Sequence, residues 1–138
     1  MKTNKILLGG LAGGVTFFLL GFLVYGTLLS GYMAANLNQC ASKPMTHMVW
    51  WAMILANLSL GYLITLIFSW SKISGIHNSA KVSAIIGALI SASTDLGTYS
   101  LSNMYNNFSV ILVDVAVYTA MVTITGMVIS IVIGSKKG

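Results

Sequence analysis

The chain alternates four long apolar runs with short polar stretches. The first run extends from Ile6 to about Ser30 and the second from about His47 to Trp70. The third extends from Val82 to about Asn103 and the fourth from about Phe108 to Gly134. Each matches or exceeds the roughly 20 helical residues needed to cross a hydrocarbon layer about 30 Å thick. Helices satisfy their own backbone hydrogen bonds, which lipid cannot do. No run shows the alternation of a transmembrane barrel strand. The pattern predicts a single all-α domain over residues 1–138, a polytopic membrane protein with four transmembrane helices in an antiparallel bundle.

Composition strengthens this picture: 57% of residues are hydrophobic and 7% charged, against about 25% charged in a soluble domain. There is no Arg and no Glu, and the only acids are Asp95 and Asp114. The net charge of +5 comes from lysines at the ends of the apolar runs, where they meet headgroups and water. They form no basic stripe interleaved with aromatics, so nucleic acid is not an expected partner. The lipid bilayer is. Lys2, Lys5, Lys72, Lys81, Lys136 and Lys137 fall on one side and Lys43 alone on the other. By the positive-inside rule both termini and the 71–81 loop are cytoplasmic. The 31–46 loop and the Tyr105–Asn107 turn then face outward, with Trp50, Trp51, Trp70, Tyr32 and Tyr105 near the interfaces. The 31–46 loop is polar, and either connects the helices or caps the bundle. The first run is longer than a signal-peptide core and is expected to remain as a helix. Cys40 is the sole cysteine, so no intrachain disulfide forms. No small residues precede it as a lipoprotein cleavage site would require.

Small residues mark the expected helix contacts. Gly9, Gly10, Gly13 and Gly14 form two interleaved GxxxG pairs, with Gly21 further along. Such pairs let another backbone approach closely, either within the bundle or from another subunit. Gly87, Gly97 and Gly126 are candidates for similar contacts. A faint repeat, Leu23-Val24-Tyr25 against Gly97-Thr98-Tyr99, is no better than chance similarity.

The informative polar residues are those placed within apolar runs. Asp95 and Asp114 fall on consecutive helices about 12 Å and about 9 Å below the outer surface, at 1.5 Å rise per residue. They can therefore face each other. Ser91, Asp95, Thr98, Ser102 and Asn106 share one helical face, bordered by Tyr99 and Asn103. Asp114, Tyr118, Met121 and Thr125 share another, and Asn57, Gly61 and Thr65 a third. Tyr25, Asn57, Asp95, Tyr99, Asn103, Asp114 and Tyr118 are thus the candidate ligand-, proton- or cation-binding residues. Their convergence would make the outer half polar and leave the cytoplasmic half more apolar. An ionised carboxylate at mid-membrane costs at least about 2.5–3.5 kcal/mol. The pair is therefore protonated and hydrogen-bonded, shares one proton, or binds a cation or a cationic group.

No other chemistry stands out. His47 and His77 lie near loops on opposite expected sides, and no His lies inside a helix to hold haem. Neither a metal site nor a cofactor is expected. No GxSxG, HExxH, CxxC or phosphate-binding loop occurs. The residues after Asp95 and Asp114 do not form intramembrane aspartyl protease motifs, so catalysis is not expected.

Two stretches carry a resemblance. One is Phe17–Gly26 followed by Gly31-Tyr32-Met33-Ala34-Ala35-Asn36. The other is Asp95-Leu96-Gly97-Thr98-Tyr99 followed by Asn103 and Val113-Asp114-Val115. Together they resemble a bacterial family of small four-helix membrane proteins classed as a domain of unknown function. The resemblance implies four spans in a bacterial inner (cytoplasmic) membrane and supplies no activity. Two expectations follow from the chain as a whole. One is a bundle with an outward-facing polar pocket that binds or moves a small solute, proton or cation. The other is an accessory or structural subunit of a larger membrane complex, packed through its glycine-rich first helix. Either reading admits a homo-oligomer.

Overall fold

A computed structural model describes residues 1–41 and 43–134. Ser42 of the outer loop and two of the lysines assigned to the cytoplasmic side, Lys136 and Lys137, lie outside the described residues. The chain is all-α. Five α-helices are present: α1 (Thr3–Leu23), α2 (Ser30–Asn36), α3 (Trp50–Trp70), α4 (Ile76–Leu101) and α5 (Ser109–Ile133). A π-helical turn, Val24–Leu28, prolongs α1.

Three segments are long and apolar enough to cross a membrane: Thr3–Leu28, Trp50–Trp70 and Ser109–Ile133. The fourth expected span, α4, has the length but not the hydropathy. Its sequence explains why, since Ser79, Ser83, Gly87, Ser91 and Asp95 recur every fourth residue and form its buried stripe. It also begins earlier than expected, at Ile76 instead of Val82, so most of the 71–81 loop is helix. His77 and Lys81 are exposed there and leave the buried stripe uninterrupted.

The interior combines an apolar core of Ile64, Phe68, Val122 and Ile129 with many small residues. Serines, threonines and glycines are buried, while Leu7, Leu8, Leu11, Leu19, Trp51, Leu55, Ile85, Leu89, Leu112 and Ile131 are exposed. Between apolar helices in lipid, close van der Waals packing takes the place of water-driven burial. Such packing needs small contact residues.

The glycines of α1 supply that packing in two directions. α1 lies against both α3 and α5, and α5 against α4. A Cβ on Gly10 would strike the Tyr62 ring, and one on Gly14 would strike Leu58, both on α3. A Cβ on Gly9 would meet Ile133 of α5 and Thr65 of α3, and one on Gly13 would meet Ile129 of α5. The two GxxxG pairs are therefore largely divided between two partner helices of the same chain. Gly61 completes the seam: its Cβ would lie 2.3 Å from the Gly14 nitrogen and 2.4 Å from the Gly10 carbonyl oxygen. Gly21 is looser, with Met121 at 3.8 Å. On the other side, Gly87 fits against Thr119 and Val122, and Gly126 against Ser83. Gly97 meets nothing within 4 Å and makes no such contact.

These pairings run antiparallel and define two ends of the bundle. At the terminal end, Lys5 Nζ donates to the Ile133 carbonyl at 2.8 Å and satisfies part of the α5 C-terminus. At the opposite end, the segment after α2 is tied to the α4–α5 connection. Leu37 and Tyr105 form an antiparallel bridge. The Asn38 amide donates to the Met104 carbonyl at 2.8 Å, and the Asn106 amide to the Asn36 carbonyl at 3.0 Å. Asn107 Nδ2 donates to Asn36 Oδ1 at 2.7 Å. The expected 16-residue outer loop is thus partly the helix α2 and partly this clasp. The expected three-residue Tyr105–Asn107 turn is instead a connection spanning 102–108.

The terminal half is packed by small residues as well as apolar ones. Thr65, Thr125, Ser79, Ser83 and Ser130 are buried there. Thr65 and Thr125 donate to Gly61 and Met121 carbonyls of their own helices. The Ser79 and Ser83 hydroxyls have no partner among the described residues. These residues are chosen for size, and the hydroxyls come with that size.

Candidate functional site

Asp95 and Asp114 meet at the clasp end. Asp95 is the last residue of the buried α4 stripe and is 6% exposed. Asp114 lies in the second turn of α5 and is half-buried. The antiparallel register that pairs Ser83 with Gly126 and Gly87 with Val122 continues to this pair. The two carboxyls stand within each other's electrostatic and hydrogen-bonding reach, with Ser91 beside them.

Three hydroxyls donate to the pair. Tyr25 Oη donates to Asp114 Oδ1 at 2.6 Å. Ser91 Oγ donates to Asp95 Oδ2 at 3.0 Å, one helical turn along α4. Tyr105 Oη donates to Asp95 Oδ1 at 3.0 Å from the clasp. Each donor comes from a different structural device. Ser91 is set by the four-residue helical spacing. Tyr105 is held by the bridge to Leu37. Tyr25 lies in the π turn, where the Leu29 amide reaches back five residues to the Val24 carbonyl at 2.8 Å. Thr27 donates its hydroxyl to the Leu23 carbonyl in the same turn. One extra residue per turn changes the direction of the side chains that follow, and such π turns are frequent at functional sites.

Tyr118 completes the cluster. It lies one turn beyond Asp114, near both carboxyls. Its ring packs edge-on against Phe17 of α1 at 5.3 Å between centroids. The cluster therefore joins α1, α4, α5 and the clasp.

The pair lacks a countercharge among the described residues. Lys81, the only lysine of α4, lies about 21 Å from Asp95 along the helix axis at 1.5 Å per residue. Two like charges held this close repel each other. Outside the spans, Tyr105 responds to the same charge. Burial first, and then its hydrogen bond to Asp95, push its hydroxyl well above the ordinary phenol range. No group of three or more His, Cys, Asp or Glu side chains forms a metal cage among the described residues.

Four of the seven expected site residues come together: Tyr25, Asp95, Asp114 and Tyr118. Three do not. Tyr99 is exposed, with its ring edge-on to Phe108 at 5.8 Å. Asn103 is exposed in the connection after α4, where its carbonyl accepts from Asn38 Nδ2 at 3.4 Å. α4 ends at Leu101, so the face on which Asn103 was counted no longer exists there. Asn57 is half-buried on α3, its Nδ2 donating to the Met53 carbonyl at 2.6 Å. It lines a cavity between α1 and α3 that Tyr25 and Tyr118 also border. Ser91 was visible on the Asp95 face. Tyr105 was visible only as an interfacial aromatic, because its reach to Asp95 depends on a fold of the connection that carries no sequence motif.

No protein-family model, curated protein or solved structure matches the chain.

Proposed function

We propose that this protein is a four-span membrane bundle whose Asp95–Asp114 pair binds a proton or a small cation from the clasp side. The observation that carries the reading is two neighbouring carboxyls held by three hydroxyl donors, with no positive partner among the described residues. Hydroxyls stabilise a carboxylate but do not neutralise it, so the site is completed by a proton or a cation.

The outward faces support α4 as a fourth span. Ile85, Leu89 and Leu96 are exposed on the side away from the buried stripe, and Ser79, Ser83, Ser91 and Asp95 are buried within the bundle. On this reading the lysine-rich terminal end is cytoplasmic, and the clasp closes the outer side of a bacterial inner membrane. The site then lies about 9 Å below the end of α4, which is shallow enough for exchange with water.

Infrared titration of the full chain in lipid tests the reading. A protonated-carboxyl stretch that disappears with rising pH, or on adding a monovalent cation, and changes in Asp95→Asn and Asp114→Asn is the expected result. A stretch that persists to alkaline pH in every salt reduces the pair to a neutral structural contact. The accessory-subunit reading has less support, because α1 spends its glycine pairs inside the chain.

A further inference from the structure

Above the glycine seam, the clasp-end halves of α1 and α3 separate around a cavity of about 310 Å³. Phe17, Phe18, Phe22, Trp50, Tyr25 and Tyr118 provide six aromatic rings around it. Its polar groups are few. Tyr25 has its proton committed to Asp114, so its oxygen is left as an acceptor. Asn57 has one amide N–H on the Met53 carbonyl, which leaves its amide oxygen and a second N–H. The Tyr118 hydroxyl is the third. No lysine or histidine lines the cavity, and the carboxyl pair stands directly behind Tyr25 and Tyr118.

Aromatic faces, acceptor oxygens and a nearby negative charge form a complement to one chemical class. We propose that the cavity binds a small organic monocation with an apolar body, a quaternary or tertiary ammonium. The ammonium is held against the faces of Tyr25 and Tyr118, and the apolar body packs on Phe17, Phe18 and Phe22. Cation–π attraction strengthens when water is excluded. The hydrogen bond from Tyr25 to Asp114 passes negative charge into the phenol oxygen at the cavity wall. Contact with a carboxylate is not required; the charge acts through Tyr25. The inference rests on the reading of the carboxyl pair as an ionisable site.

Calorimetric titration of the full chain in detergent, with benzyltrimethylammonium and its neutral isostere neopentylbenzene, tests the proposal. The two differ only in nitrogen against carbon. The expected result is a preference for the cation of about tenfold or more, the scale of a desolvated cation–π contact. The preference should fall toward unity in the Asp95→Asn, Asp114→Asn double variant, while neopentylbenzene binding is unchanged. Equal or tighter binding of neopentylbenzene by the wild-type chain overturns the proposal and makes the cavity an apolar site for a lipid chain. Failure of both compounds to bind overturns it too. The isostere comparison needs no variant, so it does not depend on the folding of a mutant. The ligand-free infrared titration separates the two readings: a carboxyl pair that titrates, beside a cavity without cation preference, sinks this inference alone.

Discussion

The two halves of α1 face the same neighbours and are built in opposite ways. From Gly9 to Gly14 the buried positions are all glycines, and the backbones of α1 and α3 nearly touch. From Phe17 to Leu28 the helix carries three phenylalanines and Tyr25, ends in a π turn, and stands away from α3 around a cavity. The close half leaves no room for a ligand. The open half holds its shape with aromatic rings and hydrogen bonds, which tolerate rearrangement better than backbone contact does. Rigidity and chemistry are thereby assigned to different ends of one helix.

The sharpest way to break this contrast is to add one carbon to each half. Gly61→Ala puts a Cβ 2.3 Å from a backbone atom that has no rotamer through which to retreat. A loss of about 3 kcal/mol or more in detergent unfolding is expected, at the upper end of overpacking costs. Gly97→Ala, with nothing within 4 Å, should change stability by about 1 kcal/mol or less. If the two variants unfold alike, the glycine seam is not what holds the helices together.

The next test lies in the open half. Tyr25→Phe removes the donor to Asp114 and should cost about 1–3 kcal/mol, the range for removing a partner from a buried polar group. It should also shift the infrared carboxyl band, which Gly61→Ala should leave in place. A band unmoved by Tyr25→Phe would detach the π turn from the site.

A smaller effect of opposite sign is expected in the close half of α4. Ser83→Ala removes a buried hydroxyl without a partner and keeps a small side chain facing Gly126. Stability should rise by about 1 kcal/mol, or hold, as measured by the same unfolding assay. A clear loss would reveal a partner for that hydroxyl.

The smallest effect concerns pH. Tyr105 is harder to ionise in the folded state than in the unfolded chain, where its hydroxyl titrates near about 10. Between the two values the folded state retains a proton that the unfolded chain has lost. The contribution is present below about pH 10 and is lost as pH rises above it. Tyr105→Phe should flatten that alkaline loss relative to wild type in a pH series of unfolding midpoints.

Much of this was legible in the residue pattern. Apolar length located the helical runs, and spacing placed Asp95 and Asp114 at a common depth on a hairpin. Two features escaped. Asn103 was placed beside a continuing α4 face, but the helix ends at Leu101 and Asn103 belongs to the connection, while Tyr99 stays on α4 and is exposed. The π turn and the Leu37–Tyr105 bridge were also invisible, since a residue's hydrogen-bond offset and a two-residue bridge leave no compositional trace. Tyr105 therefore joined the site unannounced. The hydropathy of α4 shows the reverse problem: the run was read as a span, but its average is diluted by the serine stripe that packs it.

That dilution has a consequence for how the protein is made. On the four-span reading, α4 leaves the ribosome as the least apolar of the long helices, carrying Asp95 and five serines between Ser79 and Ser100 into a lateral gate that sorts by transfer energy. Alone it is a poor candidate to partition into lipid. Its polar stripe is covered only once α5 has followed it, so the two segments enter as a hairpin. The register between Asp95 and Asp114 is then a condition of biogenesis before it is a condition of binding.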